Sequence, residues 1–300
     1  EIPMNRLLEG DVGAGKTVVA AFGAYIAAKQ GVQTALMAPT ELLARQHAQT
    51  LADLLEPLHI KVGLLTAAVK GKAKTILKEQ LTTGSVDIVI GTHALIQDTV
   101  EFKRLGLIVV DEQHRFGVKQ RQKLVDKASK IPHILSMTAT PIPRSLALTV
   151  YGELDISVIS QKPKNRLPIE TVIWSPNSRP QLYQIIDDEI KDGRQVFVVC
   201  PLIDDSENSE AKSVSEEVKR LKQGPFKHRR IGVLHGKMKD EEKADVMQQF
   251  ANQQLDILVS TTVIEVGIDI PNASVMLVEG ADQFGLAQLH QLRGRVGRSA

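Results

Sequence analysis

The sequence is poor in several things at once, and each shortage excludes a class of protein. With one cysteine, Cys200, the chain cannot form a disulfide within itself, so a reducing compartment, the cytoplasm, is the expectation. No apolar run approaches the roughly 20 residues of a membrane span, and the opening Glu1-Ile2-Pro3 carries neither a basic nor an apolar leader segment. Charge of one sign is also scarce: 37 Lys and Arg against 35 Asp and Glu leave a net charge of +2. Any contact with nucleic acid must therefore come from a local lining rather than a globally cationic surface. Aromatics are only 4% of residues, and none falls inside the polar clusters described below, which disfavours a base-stacking track and favours contact with a sugar-phosphate backbone.

What is present suits two globular cores, since 300 residues with 43% apolar content exceed one average domain. Short β-branched runs at 33–37, 60–65, 87–90, 107–110 and 133–137 alternate with amphipathic stretches, and the alternation resumes at 169–174, 195–200, 231–234, 255–259 and 274–278. Runs such as Leu107-Ile108-Val109-Val110 are apolar on both faces, as strands of a parallel sheet covered by helices on each side must be. The polar, proline-bearing stretch 161–168 separates the halves. In such folds ligands gather at the carboxyl ends of the strands, and every polar cluster below follows a strand candidate.

The first is Gly10-Asp11-Val12-Gly13-Ala14-Gly15-Lys16-Thr17, which fits the pattern G-x-x-x-x-G-K-[ST] between an apolar lead-in, Leu7-Leu8, and a helical run from Thr17 to Ala28. Glycines allow several N–H groups to converge on a phosphate; Lys16 adds a mobile charge for the outer phosphates, and Thr17 offers a hydroxyl to Mg²⁺. Asp111-Glu112-Gln113-His114 follows the most apolar strand. Asp111 is placed to hold Mg²⁺ and Glu112 to polarise the attacking water, while Gln113 and His114 could reach across to sense the nucleotide. After 33–37 comes Ala38-Pro39-Thr40-Glu41, with Thr40 as N-cap of a helix running to about Leu55, and Gly91-Thr92-His93-Ala94 offers a second helix start at the same sheet edge. Ser136 to Arg144 closes the first half with a stiff, twice-proline turn.

In the second half, Ser260-Thr261-Thr262 ends a strand with three hydroxyls. Arg295 and Arg298 stand three apart, on one face if helical, with the planar charge that stabilises a transferring phosphoryl group. Lys227-His228-Arg229-Arg230 is basic but short, and suits a solvated surface better than a dedicated nucleic-acid patch.

The ordered set GDVGAGKT, APTELLARQH, GTHAL, DEQH, TATPIPR, LHG, STTVIEVGID and QLRGRVGR resembles the serial motifs of superfamily 2 helicases and translocases, and covers nearly the whole chain. Within them, GTHALIQ, DEQHRFGV, MTATPIPRSLALT, VVCPLI and VIEVGIDIPNA are more similar to the RecG family of bacterial DNA helicases than to transcription-repair coupling factors. The resemblance implies an α/β chain of two tandem RecA-like domains, each a mostly parallel sheet flanked by helices: 1–160, a linker at 161–168, and 169–300, the last truncated at its end. It also implies ATP and Mg²⁺ as cofactors, with Gly10 to Thr17 and Asp269 at the nucleotide, Thr17 and Asp111 at the metal, and Lys16, Asp111, Glu112, Arg295 and Arg298 as catalytic groups. DNA, branched or duplex and read without regard to sequence, would be met by Pro39, Thr40, Gln46, Thr92, Gly236, Thr261 and Thr262. Gln113, His114, Thr138, Thr140 and Gln291 would couple the two functions. Thr66-Ala67-Ala68 departs from the family's usual Thr-Gly-Ser turn. The resemblance extends to the motor only, without the family's wedge domain, so discrimination of forks is expected to lie outside these residues. A coupling factor, an RNA helicase and an ATP-gated binding module remain alternatives.

Overall fold

In the computed structural model, residues 2–139, 154–161, 168–201, 209–261 and 270–297 are described. The chain divides into two compact units, Glu1–Lys162 and Pro163–Ala300. Among the described residues no helix is long and apolar enough to cross a membrane.

In the first unit the strands are β1 (Asn5–Gly10), β2 (Gln33–Met37), β3 (Val62–Leu65), β4 (Ile88–Gly91), β5 (Leu105–Val110), β6 (His133–Thr138) and β7 (Asp155–Ile159). They form one parallel sheet in the order β3-β4-β2-β5-β6-β1-β7. The helices are α1 (Lys16–Lys29), α2 (Glu41–Leu55), α3 (Gly71–Thr83) and α4 (Val118–Val125). β2 and β4 are buried along their whole length, as strands covered on both faces must be. α1 turns Ala20, Ala21, Ala24 and Ala27 inward, and these small side chains let its backbone approach the sheet closely. α2 instead buries the row Leu43, His47, Leu51 and Leu55, one residue per turn.

The second unit contains α5 (Arg179–Lys191), β8 (Gln195–Val199), α6 (Ser209–Gln223), β9 (Ile231–Leu234), α7 (Asp240–Ala251), β10 (Ile257–Ser260), β11 (Ala273–Val278) and α8 (Leu286–Arg293). Its parallel sheet runs β11-β8-β10-β9. That order repeats β5-β2-β4-β3, and the repeat extends to side chains. Gln33 opens β2 with its Nε2 donating to Leu81 O (3.0 Å) and Val86 O (2.9 Å). Gln195 opens β8 with its Nε2 donating to Phe250 O (2.6 Å) and Leu255 O (2.8 Å). Asp87 Oδ2 accepts Lys61 N–H at 2.8 Å before β4, and Asp256 Oδ2 accepts Arg230 N–H at 2.8 Å before β10. Gly117 and Gly285 each donate their N–H to the glutamine three residues on, Gln120 and Gln288, at the starts of α4 and α8. The second unit thus duplicates the middle of the first, side-chain clamps included.

Three expectations are corrected. Residues 169–174 form no strand; Val172 and Ile173 are exposed. Their β-branched composition suits a pleated surface, but strand formation requires a neighbour, and none pairs with them among the described residues. β7 was not expected. It is short and polar on alternate positions; it pairs in parallel with β1, and Arg6 on β1 also binds Ser157 Oγ (2.7 Å) and Asp155 Oδ2 (3.0 Å) across the pair. The segment after β4 makes only a 3₁₀ turn, His93–Ile96, and the Thr92 side chain caps nothing. Lys127 Nζ and Lys74 Nζ hold the following Gln97 by its carbonyl and side-chain oxygens, which draws the chain away from a continuing helix.

Candidate nucleotide site and its duplicate

Gly10 to Thr17 bridge β1 and α1 as one tight turn. Gly13 and Gly15 have φ 80° and 97°. A Cβ on Gly15 would meet nothing within 4 Å, so the requirement for glycine there is conformational rather than steric. The loop closes on itself: Asp11 O accepts Ala14 N–H (3.1 Å) and Asp11 Oδ1 accepts Val12 N–H (2.7 Å). Lys16 Nζ donates to Gly10 O (2.7 Å) and Asp11 O (3.0 Å), so its ammonium is held over the loop that an anion would occupy. Thr17 follows in the first turn of α1, where helix N–H groups lack intrahelical acceptors. This is a phosphate cradle with a cation at its rim.

The strand ends of β2, β4 and β5 are stitched together beyond the sheet ladder. Ala38 donates its N–H to Gly91 O (2.8 Å), and Asp111 donates its N–H to Met37 O (2.9 Å). Asp111 is 7% exposed. Its Oδ1 accepts Glu112 N–H at 3.0 Å, and its Oδ2 lies 2.7 Å from Nε2 of His47. Glu112, 8% exposed, adopts the left-handed conformation with φ 47° and ψ 56°, which costs a non-glycine residue about 1–2 kcal/mol. Gln113, 3% exposed, has neither amide oxygen nor amide nitrogen hydrogen-bonded to any described residue. A buried amide with no partner is costly, as expected of a group waiting for a ligand or a moving element.

The second unit carries a duplicate of this edge. Glu279 N–H donates to Val199 O at 2.9 Å, just as Asp111 N–H donates to Met37 O, so Glu279 stands where Asp111 stands. Its carboxylate is held by Arg179 (2.5 Å) and Arg220 (2.8 Å). Glu217, which also pairs with Arg220, has its carboxyl pushed up by burial. The residue that follows is Gly280, with φ 57° and ψ 45°. At the same backbone conformation the second unit places glycine where the first retains a glutamate.

Mg²⁺ takes few protein ligands and completes its shell with water and phosphate oxygens. Among the described residues no group of three or more His, Cys, Asp or Glu could hold a metal. A hydroxyl from Thr17 and a carboxylate oxygen from Asp111 are hard oxygen donors that fit the sparser mode. Among the described residues Asp111 accepts one hydrogen bond per oxygen, leaving lone pairs for the metal's waters.

The other expected residues are scattered around these edges. Thr40 caps α2, its Oγ1 accepting Leu43 N–H at 3.3 Å, as read from the sequence. Pro39, Gln46 and Thr92 are partly exposed, and Gly236 is exposed in the turn after β9. Thr261 is 0% exposed and its hydroxyl has no hydrogen-bond partner among the described residues. Thr138 ends β6 and Gln291 lies on α8, both buried. Arg295 is buried too, but α8 ends at Arg293 and Arg295 lies in the turn beyond Gly294, so the helical-face expectation for it does not hold. Thr140, Thr262, Asp269 and Arg298 lie outside the described residues, as does the side chain of His114. The short basic run is spent on internal pairs, Arg229 with Asp187 and Arg230 with Asp256. His47 was missed, although a polar residue in the row Leu43-His47-Leu51-Leu55 was a visible signal.

The DEAD/DEAH box helicase family matches residues 3–149, and the helicase conserved C-terminal domain matches residues 178–300. Curated relatives include "ATP-dependent DNA helicase RecG" of Synechocystis (52% identical, 99% of this chain, 36% of the relative) and of Bacillus subtilis (50% identical, 98% and 43%). The RecG of Aquifex aeolicus is 49% identical over all of this chain and 38% of its own length. The chain thus spans roughly two-fifths of the relatives it matches. A solved RecG bound to a three-way DNA junction shares 45% identity and a TM-score of 0.80 over 99% of this chain and 38% of that one. An RNA-bound Mss116p, at 22% identity and TM-score 0.71 over 99% of this chain and 64% of that one, shares the fold. With both helicase domains matched in order and half of its residues identical to RecG along its whole length, the chain belongs to the two-domain helicases and, among them, to the RecG type.

Proposed function

We propose that this chain is the ATP-driven motor of a RecG-type DNA helicase, acting in the bacterial cytoplasm, which moves on duplex DNA and remodels forks and junctions in repair and recombination. The observation that carries the enzymatic part is Glu112: a buried carboxylate kept at φ 47° where the duplicate turn uses Gly280. Strain of this kind persists where function requires the side chain.

In this reading the loop from Gly10 to Thr17 binds the phosphates, and Lys16 exchanges its loop carbonyls for phosphate oxygens. Mg²⁺, held by Thr17 and Asp111, neutralises charge on the phosphates when bound. Glu112 accepts the proton of the attacking water, and Gln113 senses the nucleotide from its unpartnered amide. Asp269 faces the ribose, and Arg295 and Arg298 stabilise the transferring phosphoryl group; for these three the support is the motif and, for Arg295, its burial. DNA contact through Pro39, Thr40, Gln46, Thr92, Gly236, Thr261 and Thr262 rests on the motifs and on what the relatives' names state.

ATP turnover by this chain, measured with linear duplex, forked DNA and RNA at fixed salt, tests the reading. DNA should stimulate hydrolysis, RNA should not, and the effect should fall steeply with salt because phosphate contacts dominate. Forked and linear duplex should stimulate alike, because backbone contacts carry no branch information. Equal stimulation by RNA would assign an RNA helicase instead, and nucleotide binding without turnover under any condition would assign a gated binding module.

A further inference from the structure

We infer that His47 positions the metal-binding carboxylate: its Nε2–H donates to Asp111 Oδ2 and fixes which carboxylate face is presented to Mg²⁺. The inference rests on the proposed role of Asp111 and extends it to a residue with no assigned part. The two atoms are 2.7 Å apart and both residues are buried, 7% exposed each. A carboxylate oxygen only accepts, so Nε2 must carry the proton whichever charge the ring has.

Geometry makes the role specific. Glu112 N–H fixes Oδ1 from the backbone side, at 3.0 Å, and His47 fixes Oδ2 from α2. With one donor on each oxygen the carboxylate cannot rotate about its Cβ–Cγ bond without losing both bonds. Asp111 therefore presents its remaining lone pairs in one direction only. Outer hydrogen bonds of this kind orient a ligand, and their loss typically costs about 10–100-fold in metal affinity or activity.

Position on α2 separates this role from plain packing. His47 occupies the second place in the buried row Leu43, His47, Leu51, Leu55, where leucine would fill the same space without a polar group. At Glu279, the counterpart of Asp111, the partners are Arg179 and Arg220. Two guanidinium groups neutralise that carboxylate, whereas an imidazole orients Asp111 and leaves it able to face a cation. α2 is also capped by Thr40 and carries Gln46 beside His47, so the helix proposed to meet DNA is bonded directly to the carboxylate proposed to hold the metal.

Three substitutions decide it: His47→Leu removes the donor, His47→Asn shortens it, and His47→Gln keeps an amide N–H at a length comparable to Nε2. The readouts are binding of Mn²⁺ in the presence of ADP, followed by electron paramagnetic resonance, and ADP binding in EDTA. His47→Leu and His47→Asn should weaken Mn²⁺ binding by about 10–100-fold and leave metal-free ADP affinity within twofold, while His47→Gln returns to within a few-fold of the parent. Mn²⁺ binding unchanged in His47→Leu or in His47→Asn overturns the inference, and so does failure of His47→Gln to restore it. If only the leucine variant fails to fold, the asparagine and glutamine pair still decides. Asp111→Asn is measured alongside: if it leaves Mn²⁺ binding intact, the reading of Asp111 itself is wrong, a different failure from that of His47.

Discussion

Replacing Glu112 by glycine should abolish ATP hydrolysis and yet give a protein more stable than the alanine variant, the reverse of the usual order. Both changes remove the same carboxylate, so the difference between them isolates the backbone. At φ 47° and ψ 56° a Cβ costs about 1–2 kcal/mol. Against this, alanine gains about 0.4–1 kcal/mol over glycine by restricting the unfolded chain. The net preference for glycine is about 1 kcal/mol, close to 2–4 °C in Tm for a unit the size of Glu1–Lys162. Gly280 supplies the precedent, since the same turn in the second unit has φ 57° with glycine in place. Thermal unfolding of the parent, Glu112→Ala, Glu112→Gly and Glu112→Gln would be followed with ATP turnover on the same samples. All three variants should lose turnover by about a hundredfold or more, the scale of a lost general base, with ATP binding retained through Lys16 and Asp111. An alanine variant as stable as the glycine variant would refute the strain argument, and turnover within a few-fold of the parent would refute the role of the carboxylate.

Two further outcomes follow from the second unit. Cys200 is buried at the end of β8, and burial first, then the nearby Glu217 and Glu279, push its thiol up to about 12; at pH 8 it should resist thiol reagents in the folded protein and react at once in urea, whereas rapid labelling of the native chain would show the site to be open. Burial raises the Asp187 and Asp256 carboxyls, but hydrogen bonds from Arg229 and Lys191 to the first, and from Arg230 to the second, outweigh it and hold both below the ordinary value of 3.8. Their contribution to stability is therefore present above pH 3.8 and lost as pH falls through the depressed values, so the destabilisation caused by Asp256→Asn in urea melts should shrink from pH 6 to pH 3. A penalty that stays constant across that range would show that the pair does not titrate with folding.

The site was legible where its chemistry needs a short pattern at fixed spacing. The phosphate loop and Asp111-Glu112 are local, and each follows a strand whose apolar run is visible by itself. What escaped depends on partners distant in sequence. β7 is only five residues long, DISVI, and its place in the sheet comes from its pairing with β1, Arg6 opposite Asp155. Residues 169–174 carry the opposite deception, a β-branched run with no pairing neighbour among the described residues. The partner of His47 lies 64 residues away, so nothing around it announces a carboxylate.

The duplication was written in the chain as Gly31-Val32-Gln33 and Gly193-Arg194-Gln195, and again as Phe116-Gly117 and Phe284-Gly285, where Gln120 and Gln288 stand three residues after the glycine. Aligning those repeats puts Glu279-Gly280 opposite Asp111-Glu112, and the comparison separates scaffold from chemistry. Positions alike in both units, the glutamine clamps and the aspartates before β4 and β10, hold strands together. Positions that differ mark the work of one unit alone: an aspartate bonded to a histidine rather than to two arginines, and a glutamate in a conformation that glycine adopts at lower cost. Because the fold is satisfied by the second unit's residues at that turn, folding does not require the first unit's departures from them, and this is the support for the proposal that they serve catalysis.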